Sequence, residues 1–162
     1  MTSGDAAIDC AKVFDDVGAM PGHLLRRCQQ IAVSIFLQEC GGDDLTPLQF
    51  AVLAALTQAG PVDQARLGGA AALDRTTVSV VVRNLERRGL ARREVSEKDR
   101  RSKIIHATPA GRDLVSRAWP AVRRAQERML APLTPRDRRS LIGLLAKMAD
   151  GNNDQSRAPL RG

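Results

Sequence analysis

The stretch from Leu73 to Gly111 constrains this chain more than any other. It reads LDRTTVSVVVRNLERRG and then LARREVSEKDRRSKIIHATPAG. The first half is rich in β-branched residues, which admits a strand. Val78, Val81, Val82 and Leu85 recur at three-and-four spacing, however, and Gly89 is a natural residue just past a helix end, so the pattern predicts a helix opened by Asp74 or Thr76. The second half alternates charged and apolar residues in two short runs, LARREV and KIIHAT, around a tip that holds Glu97, Lys98, Asp99, Arg100 and Arg101. That is a β-hairpin signal. A lone hairpin is marginal in water, so this one needs a helix to lean on and a reason for its arginines.

The rest of the chain reads as helices. Leu24, Cys28, Ile31 and Ile35 form an apolar stripe on a helix that starts near Pro21 and stops at GGDD, residues 41–44. Thr46-Pro47 opens the next, with Leu48, Val52, Ala55 and Leu56 on one face and Gly60-Pro61 as its stop. VDQARLGGAAAL, residues 62–73, is a short helix. Thr108-Pro109 opens a long helix that Pro120 is expected to kink or split. Thr134-Pro135 opens the last, with Leu141, Leu144, Leu145 and Met148 on one face. The tail GNNDQSRAPLRG looks disordered.

This order is mainly α with a small β-hairpin wing: a helix-turn-helix followed by the wing. In such a motif the second helix enters the major groove of DNA with its N-terminal residues toward base edges. Those residues are Arg75, Thr76, Thr77 and Ser79, with Arg83 further along. Arginine can give two bonds to guanine, and Thr or Ser can donate, accept or touch a thymine methyl. Thr76 and Thr77 could equally cap the helix, and both roles are compatible. Lys98, Arg100, Arg101 and Lys103 would meet phosphates or the adjacent minor groove. Asp99 would pair with an arginine and shape the tip.

Charge supports this reading. The chain carries 25 Lys+Arg against 18 Asp+Glu, a net charge of +7. Nine basic and four acidic residues fall between Arg83 and Lys103, so most of the excess sits on the helix end and the hairpin. The bland alternative for any charge run is a solvated face. Other classes fit less well. The two histidines, His23 and His106, lie far apart, and there is no G-x-S-x-G, phosphate-binding glycine loop or H-E-x-x-H, so an enzyme is not expected. Single-strand and RNA modules stack bases on exposed aromatics; this chain has Trp119, three Phe and no Tyr. Cys10, Cys28 and Cys40 include no C-x-x-C, so neither a disulfide framework nor a metal site is expected, and no cofactor. No apolar run approaches a bilayer span, and the acidic N-terminus lacks a signal-peptide layout, which points to a cytoplasmic protein without a membrane partner.

LTPLQFAVLAAL together with the run from LDRTT through DRR to T-x-A-G resembles the MarR family of winged-helix transcriptional regulators, over residues 21–150. Ala107 departs from the pattern, which usually has leucine there. The resemblance implies a homodimer that pairs through its N- and C-terminal helices and sets two winged helices on a pseudo-palindromic duplex operator. The surplus apolar surface on the first and last helices agrees, and Ile8, Val13, Phe14 and Val17 would extend that seam. The implied organisation is an N-terminal arm (1–20) and one domain (21–150), followed by the tail (151–162). Within the domain, 45–108 is the DNA-binding lobe, while 8–42 and 109–150 supply the dimerisation helices. The resemblance also implies a repressor released by a small aromatic or phenolic acid, or its thioester, near the dimer interface. His23, Arg26 and Arg27 in PGHLLRRCQQIA are the candidate carboxylate partners. The competing sensor is a thiol switch at Cys28; its place on the apolar stripe and the lack of tyrosine argue against it.

Overall fold

The structure is a computed structural model that describes residues 15–95 and 103–160. The chain runs α1 (Pro21–Cys40), α2 (Pro47–Ala59), β1 (Val62–Asp63), α3 (Gln64–Ala71), α4 (Arg75–Arg87), β2 (Ala91–Val95), β3 (Lys103–Ala107), α5 (Pro109–Met129) and α6 (Pro135–Gly151). Short 3-10 turns at Gly41–Asp43 and Asn153–Gln155 follow α1 and α6.

The helix starts follow local chemistry. Thr46 forms a capping box with Gln49: the Gln49 amide donates to the threonine hydroxyl (3.2 Å) and the Thr46 amide donates to the glutamine carbonyl (3.1 Å). Thr108 and Thr134 accept from the amides of Gly111 and Asp137. Pro follows each of the three threonines in the first turn, where its missing N–H costs nothing.

The core lies where α2, α3, α4 and the sheet meet. Val52, Leu53, Leu56, Leu67, Val78, Val82, Leu85 and Ile105 are essentially inaccessible to solvent. The four buried residues of α4 are Val78, Val81, Val82 and Leu85, the spacing seen in the sequence. Gly89 takes φ +68°, which lets the chain leave α4 and start β2.

The sheet has three strands rather than two. β3 is central, with β2 and the two-residue β1 antiparallel on either side. Ala91 pairs with Ala107, Arg93 with Ile105, and Val62 with Ile105. Residues 62 and 63, expected in the short helix, are drawn into this strand instead, and Asp63 caps α3 by accepting from the amides of Ala65 and Arg66.

Two further expectations meet the structure. Of the kink or split expected at Pro120, the split does not occur: α5 is continuous from Pro109 to Met129. The ring costs one ladder bond, to the Ser116 carbonyl, on a side that is exposed. The tail is not disordered through Leu160: after Asn152 it makes a 3-10 turn, and the Asn153 side chain bonds both backbone groups of Leu160.

α1 packs along α5, burying Phe36 and Cys40 against Val122. Glu39 bridges Arg124 and Arg128 of α5 at 3.2 and 3.3 Å. The predicted stripe of α1 faces outward, with Leu24, Leu25, Cys28 and Ile31 exposed. α6 has no buried residue, and Ile142, Leu144, Leu145 and Met148 are all exposed.

Candidate nucleic-acid interface

α3 and α4 are joined by a tight turn. Ala72 sits in the left-handed region (φ 52°), its amide bonded to carbonyls at the end of α3. Asp74 then caps α4. Its carboxylate accepts from the amides of Thr76 and Thr77 (both 3.0 Å) and from the Thr77 hydroxyl (2.7 Å). These bonds, those with Thr77 foremost, hold the Asp74 carboxyl below its ordinary value. Thr77 is therefore half-buried with its hydroxyl proton engaged, while Arg75 and Thr76 are exposed.

The outer row of α4 comprises Thr76, Ser79, Val80, Arg83 and Arg87. Val80 was not among the sequence candidates. It is 50% exposed in an otherwise polar row, and a buried face already complete without it marks it out. Its methyls suit contact with a thymine methyl. Arg83 makes no ion pair among the described residues.

The basic run divides into tied and free charges. Arg88 donates to the Asp44 carbonyl (2.6 Å) and the Gln49 side chain (3.1 Å), so it fastens the end of α4 to the start of α2. Arg93 pairs with Glu86 of α4 at 3.1 Å. Arg92 pairs with Glu94, whose other oxygen lies 3.0 Å from His106 Nε2 on β3. Burial first, and then the charge of Arg92, holds His106 below the ordinary imidazole value. Lys103 is exposed at the start of β3. Lys98, Asp99, Arg100 and Arg101 lie outside the described residues.

The base of the wing is locked to α5. The Thr108 hydroxyl donates to the Gly89 carbonyl (2.8 Å), and the Thr108 amide donates to the Leu90 carbonyl (3.1 Å). Gly111 is required by close approach: a β-carbon there would stand 2.1 Å from the Leu90 oxygen. Arg112 donates to the Ala107 carbonyl at 2.7 Å. Ala107 itself is buried.

Beside this junction an open cavity of 360 Å³ lies between α2 and α5, lined by Thr57, Arg112, Val115, Ser116, Trp119 and Pro120. Trp119 packs against Phe50 (5.6 Å between ring centres), and Phe50 against Phe36 (6.0 Å). The volume falls in the range of small-ligand pockets. His23, Arg26 and Arg27 do not line it. His23 and Arg26 approach each other at 3.4 Å on the first turns of α1, about 20 Å along the helix from Phe36 at 1.5 Å per residue.

A MarR family model matches residues 43–102, the span from the α1–α2 junction into the wing. Over 139 residues the chain is 34% identical to the HTH-type transcriptional repressor NicR of Pseudomonas putida, covering 86% of this chain and 88% of that protein. The chain belongs to the MarR family of transcriptional regulators. Among solved members, BpsR of Bordetella bronchiseptica, whose DNA binding is regulated by 6-hydroxynicotinic acid, superposes with a TM-score of 0.79 at 35% identity, covering 83% of this chain and 96% of that one. The repressor CouR, solved on a 23-mer DNA duplex, superposes at 0.74 with 30% identity, covering 85% and 95%. The matched span 43–102 contains the capped α4 and, of the cavity lining, Thr57.

Proposed function

We propose that this MarR-family regulator is a cytoplasmic, dimeric repressor that binds a pseudo-palindromic duplex operator and releases it on taking up a small aromatic or phenolic acid, or its thioester. One observation carries the DNA half: a helix whose apolar face is fully buried presents Arg75, Thr76, Ser79, Val80 and Arg83 outward from a start held by Asp74. Arg75, Thr76 and Arg83 are the base-reading candidates, with Ser79 and the methyl of Thr77 beside them. Lys103 and the tip residues Lys98, Arg100 and Arg101, shaped by Asp99, supply phosphate or minor-groove contact. The outward apolar faces of α1 and α6 support the dimer.

The effector half rests on the cavity. Arg112 offers a cation for a carboxylate, and Trp119 offers an aromatic wall. Arg112 also holds the Ala107 carbonyl at the end of β3. A carboxylate that takes this guanidinium competes with the wing base for it, which links occupancy to wing position. His23, Arg26 and Arg27 then serve the acid only if dimerisation brings a second α1 to the cavity. Cys28 is exposed on α1, and the chain holds no tyrosine to stand beside that thiol.

A thermal-shift series with hydroxylated nicotinic and benzoic acids tests this, followed by operator release. An acid present at a hundred times its Kd adds about 2.7 kcal/mol of stability. The expected result is a shift that Arg112→Ala abolishes, with release of DNA by the same acid. Stabilisation by none of these acids, or a response to peroxide alone, overturns the effector reading.

A further inference from the structure

The chain does not end at α6. Past Gly151 the backbone turns, and Asn153 clasps Leu160: its side-chain oxygen accepts from the Leu160 amide (2.8 Å) and its amide donates to the Leu160 carbonyl (3.1 Å). The Ala158 amide adds a bond to the Ser156 hydroxyl (3.0 Å). The loop this closes is seated on the helix-turn-helix. The Pro159 carbonyl lies 3.6 Å from the point where a β-carbon on Gly69 of α3 would stand, and Ala158 and Pro159 are half-buried. Arg157, between the clasp and this contact, is exposed. Its charge reaches Asp74 at the start of α4 and adds, after the Thr77 and Thr76 bonds, to the depression of that carboxyl.

In a helix-turn-helix the first helix crosses the sugar-phosphate backbone while the second enters the groove. The α3–α4 turn is therefore where a phosphate passes. We propose that the segment Asn153–Leu160, docked on α3, is a second contact to the operator in which Arg157 binds a backbone phosphate beside the entry of α4. The proposal rests on α4 as the groove-reading helix. A guanidinium suits the role: it is always charged and forks to two phosphate oxygens. The contact adds affinity and register without reading bases. It also ties the end of the outer helix α6 to the DNA-reading lobe.

The test is DNA binding by the full chain, followed by fluorescence anisotropy from 50 to 200 mM salt. Four variants are compared with wild type: Arg157→Ala, Arg157→Lys, Asn153→Ala and Arg83→Ala. Each phosphate contact contributes roughly 0.9 to the slope of log K against log salt. Arg157→Ala should bind several-fold more weakly and lose about that slope for each protomer on the DNA. Arg157→Lys should keep most of it, and Asn153→Ala, by opening the clasp, should match Arg157→Ala. Wild-type affinity and slope in Arg157→Ala, with Arg83→Ala weakened, overturns the tail contact alone. No effect in either overturns the α4 reading beneath it. Loss in Arg157→Ala but not in Asn153→Ala overturns the docked clasp and leaves a free arm.

Discussion

Replacing Gly111 with alanine adds one methyl at the junction of α5 and the wing. That carbon would stand 2.1 Å from the Leu90 oxygen, 3.1 Å from its carbonyl carbon and 3.2 Å from Leu53 Cδ2. The first contact is with backbone, so no side chain can swing away; the start of α5 must lift from the start of β2 by more than about 1 Å to restore a normal contact. Lifting stretches the bonds from Thr108 to Leu90 and Gly89. Overpacking costs about 1–3 kcal/mol, and weakening these hydrogen bonds about 1 kcal/mol more. Alanine recovers about 1 kcal/mol in helix propensity. The net is a loss of roughly 1–3 kcal/mol, which for a chain of this size lowers Tm by about 2–12 °C. Circular-dichroism melts at fixed protein concentration measure it. Gly41→Ala is the control, because Gly41 has helical φ and ψ with nothing within 4 Å of its β-carbon; it should be neutral or slightly stabilising. A Gly111→Ala protein that melts at or above wild type refutes the close-approach argument.

Two further outcomes test the interface and the assembly. Arg75→Ala should change base preference at one operator position by about 1–3 kcal/mol; a uniform loss over all sequences would demote Arg75 to a phosphate contact. Sedimentation at micromolar concentration should show a dimer that Leu144→Asp dissociates. Leu144 is 66% exposed in the single chain, so a variant that sediments like wild type removes α6 from the seam.

Those parts of the fold that depend on neighbours in sequence were legible. Three Thr-Pro pairs marked three helix starts because capping is settled within four residues. The α4 face was legible because a 3.6-residue period needs no partner to be seen. β1 was not, since two residues become a strand only by pairing with Ile104 and Ile105 of β3. Ala72 carries no left-handed signal; it takes φ 52° because the α3–α4 geometry imposes it. The Asn153–Leu160 clasp joins positions seven apart with no periodicity between them. In the site, residue types pointed to α4 and the wing, yet Arg88 and Arg93 look like any other charge in the run until their partners on α2 and α4 are seen. His23 stood out by composition, whereas Arg112 and Trp119 come to the cavity only through the packing of α2 on α5.

The division of the basic run also bears on what the hairpin is for. Arg88, Arg92 and Arg93 are held by carbonyls and carboxylates of the same lobe, so they bring few unmet charges to a polyanion. Their work is to fix the end of α4 and the two wing strands to one another. An exposed ion pair contributes little alone, about 0–1 kcal/mol. Several pairs on a three-stranded sheet whose long strands have only five residues each, added to the Thr108 and Arg112 bonds at its base, supply what an isolated hairpin lacks. The hairpin is anchored at its root by these ion pairs and by the Thr108 and Arg112 bonds. Among the described residues, Arg83 on the helix and Lys103 at the outer end of β3 make no ion pair within the fold.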